Sequence, residues 1–283
     1  MSDSWGLAGG DLIAPGLTAV KAIGGGTGYE AWIAFDERLH APVVVKVVRP
    51  SQVDDEGAHG GLIREIEMLQ RLNHPGIVRM FAYDVEYVRP HLVLENIDGP
   101  NLSSLIASEG HLQLHQLLPL ALELSSALHY LSEEGVCHLD IKPSNIIMGA
   151  PAKLIDLSLA IPSKDAADLV HPLGTDEYMP PEQCKPGELG QVGHASDMWS
   201  FGATMFRAAA GYRAWERDPR WRQLTDDPYP LPEFVPAPLA DLIRDCLAHD
   251  PASRPLPHEV AARLEPMMEL LPKARLSGFS IKL

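Results

Sequence analysis

The sequence has few cysteines and little positive charge. Its three cysteines, Cys137, Cys184 and Cys246, form neither an even disulfide set nor a close metal-ligand pair. Lys and Arg number 23 against 38 Asp and Glu, a formal net charge of −15, so a nucleic-acid groove built from clustered cations is not expected. These shortages predict a reducing compartment, the cytoplasm, and partners other than nucleic acid.

Long hydrophobic runs are also missing. No segment offers about 18 uninterrupted apolar residues, and the N-terminus lacks a basic region followed by an apolar run. We therefore expect no membrane span and no secretion signal in this chain, although a longer natural protein could have been truncated. Hydrophobic residues make up 46% of the 283 residues, enough for one large domain or two small lobes.

Strand signals concentrate in the first third of the chain. The stretch "LTAVKAIGGGTGYEAWIAFDERLHAPVVVKVV" predicts three strands joined by a Gly-rich turn and a polar turn, and "IVRMFAYDVE" and "PHLVLENI" predict two more. Between them, "GGLIREIEMLQRLNHPG" predicts one amphipathic helix, with Ile63, Ile66, Leu69 and Leu72 at helical spacing. After the turn cluster "DGPN" the pattern becomes helical. The sequence thus predicts an α+β fold in which a β-rich lobe with one main helix precedes an α-rich lobe.

Polar residues cluster in "HLDIKPSN", which follows a long apolar helical run. Asp140 could accept a hydrogen bond from an attacking hydroxyl, and Lys142 could neutralise charge on a moving phosphoryl group. Eleven residues after Asn145, Asp156 ends the apolar strand of "KLIDLSLA". Asn145 and Asp156 supply oxygen ligands, which suit a hard cation such as Mg²⁺.

A second polar feature lies in the β-rich lobe. Lys46 stands among valines in "VVVKVV", where a cation is expensive unless an anion faces it. Glu65, on the following helix, is the natural partner. Together the two residues could hold nucleotide phosphates.

Several motifs occur in the order of one known family. They are "GGGTGYEAW", "VVVK", Glu65, "HLDIKPSN", "DLS", "GTDEYMPPE", "SDMWSFG" and "DPASRP", between Thr18 and about Leu271. The chain resembles the eukaryotic-type (Hanks-type) protein Ser/Thr kinases found in bacteria. The resemblance implies a two-lobed kinase domain over residues 1–271, with an N-lobe at about 17–96, a C-lobe at about 97–271 and a tail at 272–283.

The resemblance also implies a role for each matching residue. Asp140 would orient the substrate hydroxyl and accept its proton, and Lys142 would stabilise the γ-phosphoryl group. Asn145 and Asp156 would hold Mg²⁺ or Mn²⁺. The residues implied in ATP binding are Ile23, Gly24, Gly25, Gly26, Thr27, Gly28, Tyr29, Ala31, Val44, Lys46, Glu65, Leu94, Glu95, Ile97 and Ile147, with main-chain groups of Glu95 and Ile97 contacting adenine.

Other matching positions imply support and specificity. In this family a lysine two places after the catalytic aspartate, together with a threonine near the substrate hydroxyl, is typical of Ser/Thr kinases and not of tyrosine kinases. Lys142 and Thr175 match this pattern. Glu182 and Arg254 would form a buried ion pair. Asp197 would brace the backbone of the catalytic loop.

The sequence departs from the family pattern at several places, one of which is Pro180 in "MPPE", where alanine is common. Tyr29 occupies the third glycine position of the Gly-rich loop, which implies a bulky lid over the phosphates. "DLS" replaces Asp-Phe-Gly, and Ser158 reaches positive φ less readily than glycine. Leu139 replaces an arginine that can pair with a phosphorylated activation segment, so we expect this segment to be ordered without phosphorylation, helped by a short helix after Pro162.

Three function classes follow. The first is an ATP-dependent protein kinase that phosphorylates Ser and Thr of protein substrates in bacterial signalling. The second is a pseudokinase that acts as a nucleotide-binding or scaffolding module, and the third is a small-molecule kinase of the same fold. The sequence leaves open the physiological substrate, the activating signal, the oligomeric state and the role of the tail.

Overall fold

An antiparallel sheet forms the first lobe of the structure, a computed structural model that describes residues 3–271. The sheet has the order β1-β2-β3-β4-β6-β5. Its strands are β1 (Leu12–Ala14), β2 (Leu17–Gly24), β3 (Tyr29–Asp36), β4 (Ala41–Val48), β5 (Met80–Asp84) and β6 (His91–Glu95). The sequence missed β1, and β5 begins three residues after the predicted start, because residues 77 and 78 bond to the second lobe instead.

The two faces of this sheet have different neighbours. Trp32, Val43 and Val45 alternate onto one face, where they form a core that the N-terminal segment covers through Trp5. The intervening residues, which include Val44 and Lys46, point to the other face and are only half-buried. Period-two alternation therefore directs Lys46 into the cleft between the lobes.

One long helix, α1 (Glu56–Arg71), packs against the cleft side of the sheet. Ile66 and Leu69 are buried in the main core as predicted, whereas Ile63 is 41% exposed. Glu65 is fully buried on the same helix. The helix thus carries a buried carboxylate toward β4.

The joint between the lobes is the turn at residues 96–100. Gly99 has φ +143°, and a Cβ there would lie 2.4 Å from the carbonyl oxygen of Met148. Only glycine permits this approach of the joint to the second lobe. Asn101 then caps α2 (Leu102–Glu109) by accepting a hydrogen bond from the Ser104 amide at 2.8 Å.

The second lobe is helical, with short strands at its cleft side. Its further helices are α3 (Leu114–Glu133), α4 (Ser163–Ala167), α5 (Pro181–Cys184), α6 (His194–Ala210), α7 (Ala237–Cys246) and α8 (Pro257–Glu269). The strands are β7 (Val136–Cys137), β8 (Ile146–Ile147), β9 (Lys153–Leu154) and β10 (Ile161–Pro162). This arrangement confirms the predicted α+β fold with a β-rich and an α-rich lobe.

Two further predictions concern this lobe. Residues 217–236, which precede α7, form a loop with one 3₁₀ turn at Arg222–Leu224. The short helix expected after Pro162 is present as α4. The predicted tail at 272–283 lies outside the described residues.

Candidate active site

The loop after β7 brings four predicted polar residues together. Asp140 accepts hydrogen bonds from Lys142 Nζ at 2.7 Å, from the Thr175 hydroxyl at 2.6 Å and from Asn145 Nδ2 at 3.1 Å. Lys142 Nζ also donates to the Thr175 hydroxyl at 2.7 Å. A carboxylate, a cation and a hydroxyl therefore meet within hydrogen-bond distance of one another.

The backbone of this loop is fixed from below by α6. Asp197 accepts the amide N–H groups of His138 and Leu139, each at 2.8 Å. Burial raises the pKa of the Asp197 carboxyl to about 7, and the two donors oppose that rise. Leu139 has φ +63°, a strained conformation for leucine, and Gln183 Nε2 donates to its carbonyl at 2.7 Å. The predicted bracing role of Asp197 agrees with this geometry.

A second cluster joins the lobes above the loop. Lys46 Nζ lies 2.6 Å from Glu65 Oε2 and 2.8 Å from Asp156 Oδ1. Burial alone would lower the pKa of Lys46, but the two carboxylates raise it above its ordinary value. Burial would raise the pKa of Asp156, but Lys46 and a hydrogen bond from Ser158 lower it to about 2. Lys46 and Asp156 are thus charged at neutral pH, whereas burial raises the pKa of Glu65 and the charge of Lys46 opposes that rise.

The oxygen atoms near the cleft fit a divalent cation. Asn145 uses Nδ2 for both of its bonds to Asp140, which leaves Oδ1 for a ligand. Lys46 and Ser158 both donate to Oδ1 of Asp156, which leaves Oδ2. Within residues 3–271 no group of three or more His, Cys, Asp or Glu could enclose a metal. A cation held by two protein oxygens plus phosphate and water is the arrangement that Mg²⁺ prefers.

The Gly-rich turn between β2 and β3 requires glycine at one position. Gly25 has φ +145°, and a Cβ there would lie 2.2 Å from the Tyr29 carbonyl oxygen. Arg49 holds the turn, because its Nε donates to the Gly26 carbonyl at 2.8 Å and its amide to the Gly28 carbonyl at 3.0 Å. Thr27 lies within this turn, and Ile23, at its start, is 47% exposed.

The ring of Tyr29 points toward Lys46 and α1. Lys46 Nζ lies 4.6 Å from the centre of the Tyr29 ring, within cation–π range. A Cβ on Gly61 of α1 would lie 2.9 Å from the Tyr29 hydroxyl. The ring therefore turns inward between Lys46 and α1. Glycine at position 61 leaves room for the ring there, and the lid over a bound nucleotide stays a prediction.

Strand register and the joint bring the predicted adenine residues together. Ala31 is paired with Gly24 and with Lys46, and Val44 with Leu94. A Cβ on Gly149, in the β8–β9 turn, would lie 2.9 Å from Ile97 Cγ2. The Glu95 amide donates to the Arg79 carbonyl at 2.9 Å, and Glu95 is opposite Val43 in the sheet. Ile147, on β8, is bridged to Asn101 at the end of the joint.

The activation segment, residues 156–182 from "DLS" to the end of "GTDEYMPPE", packs on the catalytic loop through apolar contacts. Leu139 is 1% exposed and forms a cluster with Cys137, Ala166 and Val192, against which Leu169 packs. Ala166 belongs to α4, so an apolar side chain at position 139 contacts the segment directly. Cys137 is a buried thiol, and burial raises its pKa.

A buried ion pair fixes the end of the activation segment. Arg254 donates to both carboxylate oxygens of Glu182, at 2.6 and 2.9 Å, and both side chains are fully buried. Arg254 also donates to the carbonyl oxygens of Ala195, Ala248 and His249. The predicted pair is therefore present and fully hydrogen-bonded.

Sequence reasoning missed three residues of the site. Arg49 holds the Gly-rich turn, Gln183 holds the carbonyl of Leu139, and Ser158 donates to Asp156 at 2.8 Å. Ser158 could have been found, because a hydroxyl two residues after an aspartate often bonds locally. The contacts of Arg49 and Gln183 carry no local signal in the sequence.

Comparison with known proteins identifies the family. The protein kinase domain model matches residues 17–263. The chain is 28% identical over 241 residues to mouse Aurora kinase C, with 83% of this chain and 85% of the relative covered. It is 27% identical over 241 residues to the Ser/Thr kinase PknB of Mycobacterium leprae, with 80% and 38% covered. To PknA of Mycobacterium tuberculosis it is 30% identical over 248 residues, with 81% and 56% covered.

The chain belongs to the protein kinase family, which confirms the resemblance that its motifs predicted. The chain spans about two fifths of the PknB relatives, whereas it covers most of Aurora kinase C. The family match favours a protein kinase over a small-molecule kinase. No helix in the described part of the chain is long and apolar enough to cross a membrane.

Proposed function

We propose that the chain is an ATP-dependent protein kinase that transfers the γ-phosphoryl group of ATP to Ser and Thr hydroxyls of protein substrates. The observation that carries the proposal is the pairing of Lys46 with Glu65 and Asp156 directly above the Asp140 loop. Kinases of this family require that lysine–glutamate pair for transfer. Three free, buried thiols support the accompanying proposal of a cytoplasmic location.

The Asp140 loop would act on the substrate hydroxyl. The Thr175 hydroxyl donates to Asp140 at 2.6 Å, and a substrate hydroxyl beside the same carboxylate would be oriented in the same way and lose its proton to it. Lys142 would stabilise negative charge on the phosphoryl group as it moves. The carboxylate, the cation and the Thr175 hydroxyl support Ser and Thr as acceptors.

The upper cluster would hold the nucleotide. Lys46 would bind the α- and β-phosphates while Glu65 fixes its position. Asn145 Oδ1 and Asp156 Oδ2 would hold Mg²⁺ or Mn²⁺, which neutralises phosphate charge when bound. Ala31, Val44 and Ile147 would enclose adenine, with main-chain groups of Glu95 and Ile97 as its polar contacts.

The pseudokinase alternative rests on Tyr29 and on Ser158 in "DLS". Neither residue displaces a phosphate, metal or hydroxyl contact, because Tyr29 turns toward α1 and Ser158 bonds to Asp156 through its hydroxyl. We therefore favour an active enzyme.

Mass spectrometry of the purified protein, before and after incubation with ATP and Mg²⁺ and with a degenerate Ser/Thr peptide library, tests this choice. An active kinase adds phosphate to itself or to the library, and EDTA prevents the addition. Nucleotide binding in a thermal shift assay without any phosphate transfer would support the pseudokinase.

A further inference from the structure

Three arginines surround a cavity beside the end of the activation segment. The cavity has a volume of about 540 Å³. Besides Arg207, Arg213 and Arg217 its walls contain Tyr212, Trp215, Glu216, Tyr229 and Pro230, and we call it the arginine pocket. The chain as a whole has a net charge of −15, so the sign of the charge at this cavity is opposite to that of the whole chain.

Arg207, on α6, is a half-buried cation. Its guanidinium donates to the carbonyl of Gly211, and burial lowers its pKa. Among the side chains that the structure describes, no Asp or Glu forms an ion pair with it. A partly desolvated charge without a counter-ion is unfavourable, so an anion that enters the pocket would stabilise it.

Arg213 and Arg217 have one carboxylate between them in the described part of the chain. They share Glu177 of the activation segment, at 3.9 and 3.1 Å. The nearby Arg220 differs, because it grips both oxygens of Asp176 at 2.6 and 2.9 Å. Glu216, the acidic residue of the pocket wall, accepts the hydroxyl of Tyr229 at 2.9 Å. The pocket therefore keeps an excess of positive charge.

Helix α6 connects the pocket to the candidate catalytic loop. Asp197 holds the loop backbone, and Ser200 donates to the carbonyl of Tyr178 at 2.8 Å. Arg207 follows Asp197 by ten residues, or about 15 Å along the helix axis. An extended peptide advances about 3.3 Å per residue and so spans that distance in four to five residues. Because the Arg207 side chain itself covers part of that distance, a stretch of as few as two peptide residues would be enough.

We propose that the arginine pocket binds an anionic side chain of the protein substrate, two to five residues from the Ser or Thr that is phosphorylated. The anion is a carboxylate or a phosphate on a previously phosphorylated residue. The proposal rests on the proposed kinase function. The net negative charge of the whole chain would by itself favour basic substrates, whereas this proposal predicts a preference for an acidic side chain at the pocket.

A positional peptide library tests the proposal. Each peptide carries one Ser, with Glu, Gln, Lys or phosphoserine placed singly at each of five positions on either side. We expect kcat/KM for the best Glu peptide to exceed that of its Gln counterpart by roughly 10-fold or more, the size of one charge-assisted hydrogen bond. In Arg207→Gln and Arg213→Gln the ratio falls toward one. Arg263→Gln, which alters a half-buried arginine on α8 that pairs with Asp245 at 2.7 Å, keeps the wild-type ratio.

Three outcomes would overturn the proposal while leaving the kinase function intact. They are a Glu/Gln ratio near one in the wild type, a preference for Lys, and a ratio that survives in both pocket variants. The phosphoserine peptides separate the two anion sources, because a phosphate-reading pocket favours phosphoserine over Glu at the same position.

Direct binding keeps the proposal testable if no peptide is phosphorylated, a result that would contradict the kinase function instead. Fluorescence anisotropy should show that the wild type binds the Glu peptides more tightly than the Gln peptides. This difference in affinity should shrink at high salt, and it should disappear in Arg207→Gln and Arg213→Gln. Equal affinity of the wild type for the Glu and Gln peptides would overturn the proposal that the arginine pocket binds an anionic side chain.

Discussion

Replacing Leu139 with alanine should loosen the activation segment. Leu139 is 1% exposed and packs against Ala166 of α4 and against Leu169. Truncating a buried leucine to alanine typically costs about 2–5 kcal/mol. A loss of about 2 kcal/mol, the lower end of this range, corresponds to roughly 30-fold, since about 1.4 kcal/mol is a factor of ten. Protection of the backbone amides of residues 161–173 from hydrogen exchange should therefore fall roughly 30-fold.

Hydrogen exchange followed by mass spectrometry measures this loss. Leu242→Ala is the matched control, because Leu242 is also 1% exposed but belongs to α7. It should lower stability without singling out residues 161–173. Leu169→Ala removes the contact from the segment side and leaves the catalytic loop unaltered, so it should produce the same local effect more weakly.

The same reasoning predicts activity without phosphorylation of the segment. Protein that has been fully dephosphorylated, as checked by intact mass, should transfer phosphate at its full initial rate, and Leu139→Ala should reduce that rate. A wild-type rate that begins near zero and rises with phosphate on Ser163, Thr175 or Tyr178 would refute the argument. So would rapid exchange throughout residues 161–173 in the wild type.

Three more predictions concern the ion pairs and Tyr29. Arg254→Met should lower the free energy of unfolding by about 3–5 kcal/mol in denaturant titrations, because Glu182 would remain buried without a partner; a change below 1 kcal/mol would contradict this. Asp156→Asn should weaken ATP binding in Mg²⁺ more than in EDTA, measured by calorimetry, and equal losses in both would argue against a metal role. Tyr29→Gly should change nucleotide on- and off-rates in stopped-flow experiments by freeing Lys46 from the ring, and unaltered rates would make the contact irrelevant.

The catalytic groups could be predicted because their spacing is local. Asp140, Lys142 and Asn145 lie within six residues, and the motif that contains them is found as a unit. Lys46 and Glu65 are distant in sequence, but a lysine among buried valines demands an anion, which pointed to the helix. The structure places the pair 2.6 Å apart.

The remaining features depend on contacts that the sequence does not display. Arg49 reaches Gly26, 23 residues away, and Gln183 reaches Leu139, 44 residues away. The inward turn of Tyr29 depends on a glycine in α1, and sequence alone did not choose between this direction and packing over the phosphates. The start of β5 shifted because Val78 donates to the Leu154 carbonyl of the other lobe.

The sharpest test of the account compares wild type with Asp140→Asn. Asp241→Asn is the matched control, because Asp241 is an exposed aspartate on α7. Transfer of labelled phosphate from ATP and Mg²⁺ to the peptide library should fall by roughly 10²–10⁴ in Asp140→Asn, while ATP affinity stays close to wild type, because the carboxylate acts on the hydroxyl and not on the nucleotide. Full transfer by Asp140→Asn, or no transfer by the wild type, would contradict the assignment of this chain as a kinase that works through Asp140.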